Sequence, residues 1–311
     1  MIQHINQAFK PVLDRDAAID MAAKFSDAIE LLQELVDYGT NLIPRAYGNS
    51  GRDLKAICLL FVQLRQFVSH LDGIALLLSN GACGTANLQL RSVLEAAHII
   101  EWILTGDTEN KIRYLYVANL RRRRQWDSVA IPGSSAAAKH VAAASQLKLS
   151  TEQTQEIADE VRRIDALLAT PEFNAINAKF ESHYSRKGGF DKPWYEVYGA
   201  TSIRNVANQI GKVKEYTYIY SSLSGMTHGS DMCKSVFFGS GQIELSPVRE
   251  PQHIPNIIQL SATLALRVYE LILREFRAGE EENFNRKYVN EWRERFRRKY
   301  EIQLTPQVMT I

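Results

Sequence analysis

Arg91, Glu95 and His98 supply a guanidinium, a carboxylate and an imidazole, the groups that bind phosphates and move protons. At about 100° per residue these three and Trp102 share a narrow helical stripe, enclosed by Leu88, Leu90, Val93, Leu94, Ile99 and Ile100. On a helix so apolar the charges are predicted to be buried. Arg91 and Glu95, at i, i+4, are predicted to pair, because an unpaired buried charge costs several kcal/mol. A second constellation follows downstream, where Tyr216, Tyr220, Ser224 and His228 recur every four residues and end beside Gly229. Two readings of His228 stand together: a helix-end imidazole satisfying the last carbonyls, or a general acid/base in a polar pocket completed by Arg91 and Glu95.

Other motifs exclude more than they assign. Glu95-Ala96-Ala97-His98 has the Glu-x-x-His spacing of helical di-metal sites, but the second instance, Glu250-Pro251-Gln252-His253, falls in a proline-bounded loop. No metal site and no cofactor is expected, and phosphate-binding glycine loops, His-Glu-x-x-His and Gly-x-Ser-x-Gly are absent from the sequence. Arg121 to Arg124 must wrap around a helix, so they read as a solvated or partner-facing surface. Phe284, Tyr288, Trp292, Phe296 and Tyr300 recur every four residues and read as a packing face.

Helices must position these groups. The apolar period predicts helices over Asp16–Tyr38, Arg52–Ser79 and Thr85–Leu104, the last two antiparallel across the short turn at Asn80–Gly84. Asp107 caps a fourth helix running toward Trp126, and Ser150-Thr151-Glu152-Gln153 is a capping box for a helix to Ala169. Lys187–Gly199 reads as an aromatic-packed loop, and Ser202 as the cap of one long helix to about Thr227. A small β-hairpin is predicted around the Gly-Ser-Gly turn within Ser235–Pro247, followed by helices Ile254–Arg277 and Glu281–Tyr300. The fold class is therefore all-α: a bundle of long antiparallel helices forming a single domain over 1–311. Residues 134–190 form a helical insert or lid, and 281–311 a docking helix and tail.

Composition agrees with a globular chain. Its 311 residues are 45% hydrophobic and carry a formal net charge of +2, which argues against a globally basic nucleic-acid binder. Three scattered cysteines, Cys58, Cys83 and Cys233, suit a reducing compartment. The sequence start has no signal-peptide pattern, and the apolar run Ile57–Leu78 is broken by Arg65, His70 and Asp72, so a cytoplasmic protein with no membrane association is expected.

Arg91-Ser92-Val93-Leu94-Glu95, Trp194 and Tyr220-x-x-x-Ser224-x-x-x-His228-Gly229 together resemble a bacterial all-α family, the domain of unknown function 5677. The resemblance covers about Leu54 to Leu273. That family in turn looks distantly like the HEPN superfamily of helical proteins, many of them ribonucleases of toxin and antiphage systems. Such enzymes use an Arg-x(4 to 6)-His pair, a spacing met by Arg91 to His98 and by Arg65 to His70.

The resemblance implies an effector of bacterial stress or antiphage defence, a metal-independent ribonuclease. Its catalytic residues would be His228, Arg91 and Glu95, and its substrate contacts Tyr220, Ser224 and His98. RNA, a second copy of the chain and products of neighbouring genes would be its partners. The alternative is a non-enzymatic sensor or scaffold whose polar pocket binds a small ligand or only locks the bundle.

Overall fold

A computed structural model describes residues 12–48, 54–183, 191–227, 236–239, 242–298 and 309–310. The fold is all-α, as the apolar periodicity requires. Its helices are α1 (Arg15–Ala23), α2 (Ser26–Gly48), α3 (Leu54–Leu78), α4 (Cys83–Ile103), α5 (Thr108–Val129), α6 (Ser135–Lys139), α7 (Val141–Gln146) and α8 (Thr151–Leu168). They continue as α9 (Asn174–His183), α10 (Trp194–Tyr198), α11 (Ile203–Gln209), α12 (Val213–Thr227), α13 (Ile254–Phe276), α14 (Glu281–Lys287) and α15 (Arg293–Arg297). Strands β1 (Val236–Gly239) and β2 (Gln242–Leu245) pair antiparallel with Val236 opposite Leu245, and β3 (Met309–Thr310) adds to β2. The hairpin is where the Gly-Ser-Gly turn placed it; the third strand had no sequence signal long enough to read.

The chain divides into two compact units, one of Met1–Leu54, Leu60–Leu104 and Ala207–Ile311, the other of Lys55–Leu59 and Thr105–Val206. In the first, α13 packs on α2 and α4, and α12 packs on α4. Leu64, Phe67, Leu71, Leu90, Val93 and Ile100 are fully buried there, each burial stabilising the fold by about 1.5–3 kcal/mol. Among the described residues one helix, Pro251–Phe276, is long and apolar enough to cross a membrane, and its most apolar stretch is 56% buried.

Several boundaries moved for identifiable reasons. The first predicted helix is two, α1 and α2, with the buried Phe25 in the turn between them. Helix α2 runs on through Gly39 and Pro44, because Leu42 and Ala46 bury completely on either side of the proline. The long helix expected from Ser202 breaks into α11 and α12 at Gly211, whose φ of 71° suits glycine. Ser202 still caps its start, its Oγ accepting from Asn205 N at 3.1 Å. The expected loop at Lys187–Gly199 contains the short α10. The Asp107 cap and the Ser150–Gln153 capping box are both formed.

In the second unit, Tyr114, Val117, Ile164, Leu168, Phe173 and Phe180 make the core of α5, α8 and α9. The arginine run is not uniformly surface. Arg121 is only 8% exposed, where Asp191, Glu181 and Asn177 satisfy it, while Arg123 pairs with Glu160 and Arg124 with Asp165. Only tertiary folding brings those acids to α5. From the C-terminal aromatic stripe, Phe284 and Trp292 are buried against Tyr38 of α2 in the same chain, and Trp292 Nε1 donates to Glu34 at 2.9 Å, while Tyr300 lies outside the described residues. Arg295 adds hydrogen bonds to Glu34 and Asp27.

The tightest approach in this packing is at Gly39. A Cβ there would lie 2.7 Å from Val68 Cγ2 and closer still to the Tyr269 hydroxyl, which is held by donating to the Leu35 carbonyl at 2.9 Å. Gly39→Ala is therefore expected to destabilise the protein by about 1–3 kcal/mol through overpacking, despite the better helix propensity of alanine. Urea unfolding of the two proteins measures it, and an equal or higher midpoint for the variant would refute the packing account.

Candidate functional site

The polar stripe of α4 faces α12 and, beyond it, Gln209. Arg91 meets Tyr220, His98 meets Glu215 and Trp102 meets Gln209, so rising numbers on α4 meet falling numbers across the seam and the helices run antiparallel. The partners are seven and four residues apart on α4 and five and six apart on the facing side, where the break at Gly211 intervenes. Two clusters result.

The outer cluster is built on Arg91. Its Nε donates to Glu95 Oε1 at 3.2 Å, its Nη2 donates to the Tyr220 hydroxyl, and its Cζ lies 4.3 Å from the Tyr220 ring centroid. Tyr220 in turn stacks on Tyr216 with centroids 4.6 Å apart and planes 18° from parallel. The expected i, i+4 pair thus forms, but it is not sealed: the side chains of Arg91 and Glu95 are 20% and 36% exposed. The stripe reaches the edge of the α4–α12 seam, where water meets the charges that the apolar pattern of α4 alone seemed to enclose. Burial, then the neighbouring Tyr220 and the charge of Glu95, push the Tyr216 hydroxyl up to about 12, so at neutral pH it is a hydrogen-bond donor and not a base.

The inner cluster was only partly legible. His98 is fully buried, and its Nε2 donates to Glu215 Oε1 at 2.9 Å. Arg267 of α13 forks the same carboxylate at 2.7 and 2.8 Å, and its Nε comes within 3.2 Å of Glu101. Burial by itself would raise the Glu215 carboxyl, but the hydrogen bonds from His98 and Arg267 and the charge of Arg267 outweigh it and hold the group at about 2. Burial also opposes the charge on Arg267, which Glu215 and Glu101 more than restore, keeping it above the usual guanidinium range. A side chain without exposed surface does not face substrate from this position. His98, expected as a substrate contact, instead orients Glu215.

Glu215, Arg267 and Glu101 were not singled out from the sequence. Arg267 carried the same signal as Arg91, a lone cation in an apolar helical period, and could have been found by it. Nothing local marks Glu215 as its partner, 52 residues away. Among the remaining expected residues, His70 Nδ1 is bound to Gln89 Oε1 at 2.7 Å. His228, the side chain of Ser224 and Cys233 lie outside the described residues. Among the described residues no three His, Cys, Asp or Glu side chains are placed to hold a metal ion.

The model of a family of unknown function, DUF5677, matches residues 56–243, and the chain belongs to that family. The match includes Arg91, Glu95, His98, Glu215 and Tyr220 and stops before Arg267. No curated protein and no solved structure matches the chain.

Two measurements test the site. Because the Arg91–Glu95 pair is reached by water, Glu95→Ala is expected to cost about 1 kcal/mol and not the larger amount of a stranded buried cation. A loss above about 3 kcal/mol in urea unfolding would show a sealed pair. Glu215→Gln is expected to cost about 1–3 kcal/mol at pH 7 after screening of a partly exposed group. The folded carboxyl titrates at about 2 and an unfolded one at 4.5, so the stabilisation is present above 4.5 and is lost as pH falls toward 2. The difference between wild type and variant should shrink across that window; one that stays constant down to pH 3 would contradict the assignment.

Proposed function

We propose that this member of the DUF5677 family is a HEPN-like effector of bacterial stress or antiphage defence, a metal-independent ribonuclease acting in the cytoplasm as a homo-oligomer. The observation that carries the reading is the partly exposed Arg91 guanidinium, fixed between Glu95 and the Tyr220 hydroxyl on the α4–α12 seam. A cation held in place before substrate arrives needs no reorganisation when negative charge grows on a pentavalent phosphorus.

In this reading the ribose 2′-oxygen attacks the adjacent phosphorus while His228 takes its proton. The phosphorus–5′-oxygen bond breaks, and the imidazolium returns the proton to the departing oxygen, leaving a 2′,3′-cyclic phosphate and a 5′-hydroxyl. Arg91 neutralises the phosphorane, Glu95 orients Arg91, and Tyr220 and Ser224 position the ribose-phosphate. His98, being buried, acts only by holding Glu215 and hence α12. Products of neighbouring genes would be its partners in the cell.

A second reading, a sensor or scaffold without catalysis, is favoured by the same contacts, since Glu95 and Tyr220 already occupy Nε and Nη2 of Arg91 within the chain. One experiment separates them. Wild type, His228→Ala and Arg91→Lys, matched for melting temperature, are incubated with total RNA and with tRNA in the presence of a chelator. The ribonuclease reading expects cleavage by wild type and a loss of about 10²- to 10⁴-fold in His228→Ala, with Arg91→Lys also impaired. Intact RNA with all three proteins would leave the sensor or scaffold.

A further inference from the structure

The second unit contains a polar cavity of about 200 Å³ that takes no part in the reaction proposed for Arg91 and His228. Its floor is Arg121, whose Nε and Nη2 donate to Asp191 at 2.6 and 2.9 Å and whose Nη1 donates to Glu181 Oε1 at 2.6 Å and to Asn177. Four of the five guanidinium N–H groups are thereby used inside the chain, so Arg121 builds the wall.

The neighbouring cation is placed differently. Arg124, three residues on along α5, meets Asp165 through Nε, and its terminal amino groups have no hydrogen-bond partner among the described residues. Lys139 and the hydroxyl-bearing Ser128 and Ser135 line the same space. Glu181 closes another side; one of its oxygens is taken by Arg121 and the side chain is 58% exposed, which leaves the other oxygen able to accept.

We infer that this cavity binds a phosphate monoester carried on a polyhydroxy group, ribose 5-phosphate being the simplest case. Phosphate oxygens accept from the Arg124 fork, the Lys139 ammonium and the two serine hydroxyls, a planar donor pair and a point charge suited to a tetrahedral anion. Sugar hydroxyls donate to Glu181. A bare phosphate would set an anion near Glu181 with no donor between them, whereas the hydroxyls of the carrier supply those donors. The volume is small for a ligand site and excludes a dinucleotide. The inference is independent of the ribonuclease reading, since none of these residues belongs to the α4–α12 seam.

Calorimetric titration of the full chain tests it with three probes: ribose 5-phosphate, adenosine monophosphate and inorganic phosphate. Saturable binding of ribose 5-phosphate, tighter than inorganic phosphate, is expected. Adenosine monophosphate binding as well would identify the ligand as the ribose-phosphate of a nucleotide, and its failure to bind would identify a free sugar phosphate. Arg124→Gln and Lys139→Gln should each weaken binding by about tenfold or more, the consequence of losing a charge-assisted hydrogen bond. Lys139→Gln keeps the test open if loss of the Asp165 pair unfolds the Arg124 variant. Glu181→Ala should weaken ribose 5-phosphate while leaving inorganic phosphate unchanged. Absence of binding by both esters, equal affinity for inorganic phosphate, or unchanged affinity in Lys139→Gln would overturn the proposal.

Discussion

Glu215 sits on α12, accepts from His98 of α4 and is forked by Arg267 of α13, so one carboxylate is shared by three helices. Leaving a member of this partly buried set without its partners costs about 1–3 kcal/mol, which favours one relative register of the three helices. Sliding α12 by one turn would separate Glu215 from both donors and Tyr220 from Arg91 together. Apolar packing between α4, α12 and α13 supplies most of the stabilisation, but it is tolerant of such slips; the directional hydrogen bonds are not.

The two clusters on the seam divide the work. The inner one is centred on His98, which has no exposed surface, and on Glu215, which is held ionised by its donors although its side chain is still 25% exposed. The outer one, a turn or two away, leaves Arg91 and Glu95 within reach of water and places a stacked tyrosine pair beside them. A rigid support under an accessible cation is what electrostatic preorganisation requires, and the same arrangement serves a ligand sensor equally well. The second unit organises charge on a similar plan, with the buried Arg121 satisfied by Asp191, Glu181 and Asn177, and the more exposed Arg124 beside it.

The physical limits of reading this chain as a string are visible at particular residues. Arg91, Glu95 and Tyr220 were readable because helical period places i and i+4 on one face, and a charge within an apolar period has few ways to be satisfied. Asp107 and Ser150 were readable because caps are local hydrogen bonds within a few residues. Period does not report how deep a face lies, so the Arg91–Glu95 pair was expected to be sealed and His98 to meet substrate, and the depths are the reverse.

What the amino-acid sequence determined by itself is the all-α class, most helix spans and the polar stripe of α4, since each depends on neighbours three or four residues apart. Tertiary structure alone decided that Arg267 would answer Glu215 and Glu101, that Asp191 and Glu181 would bury Arg121, and that Trp292 would dock on Glu34 and Tyr38. Those partners lie 52 to 258 residues apart, and a periodic pattern specifies which face of a helix needs covering without specifying what covers it.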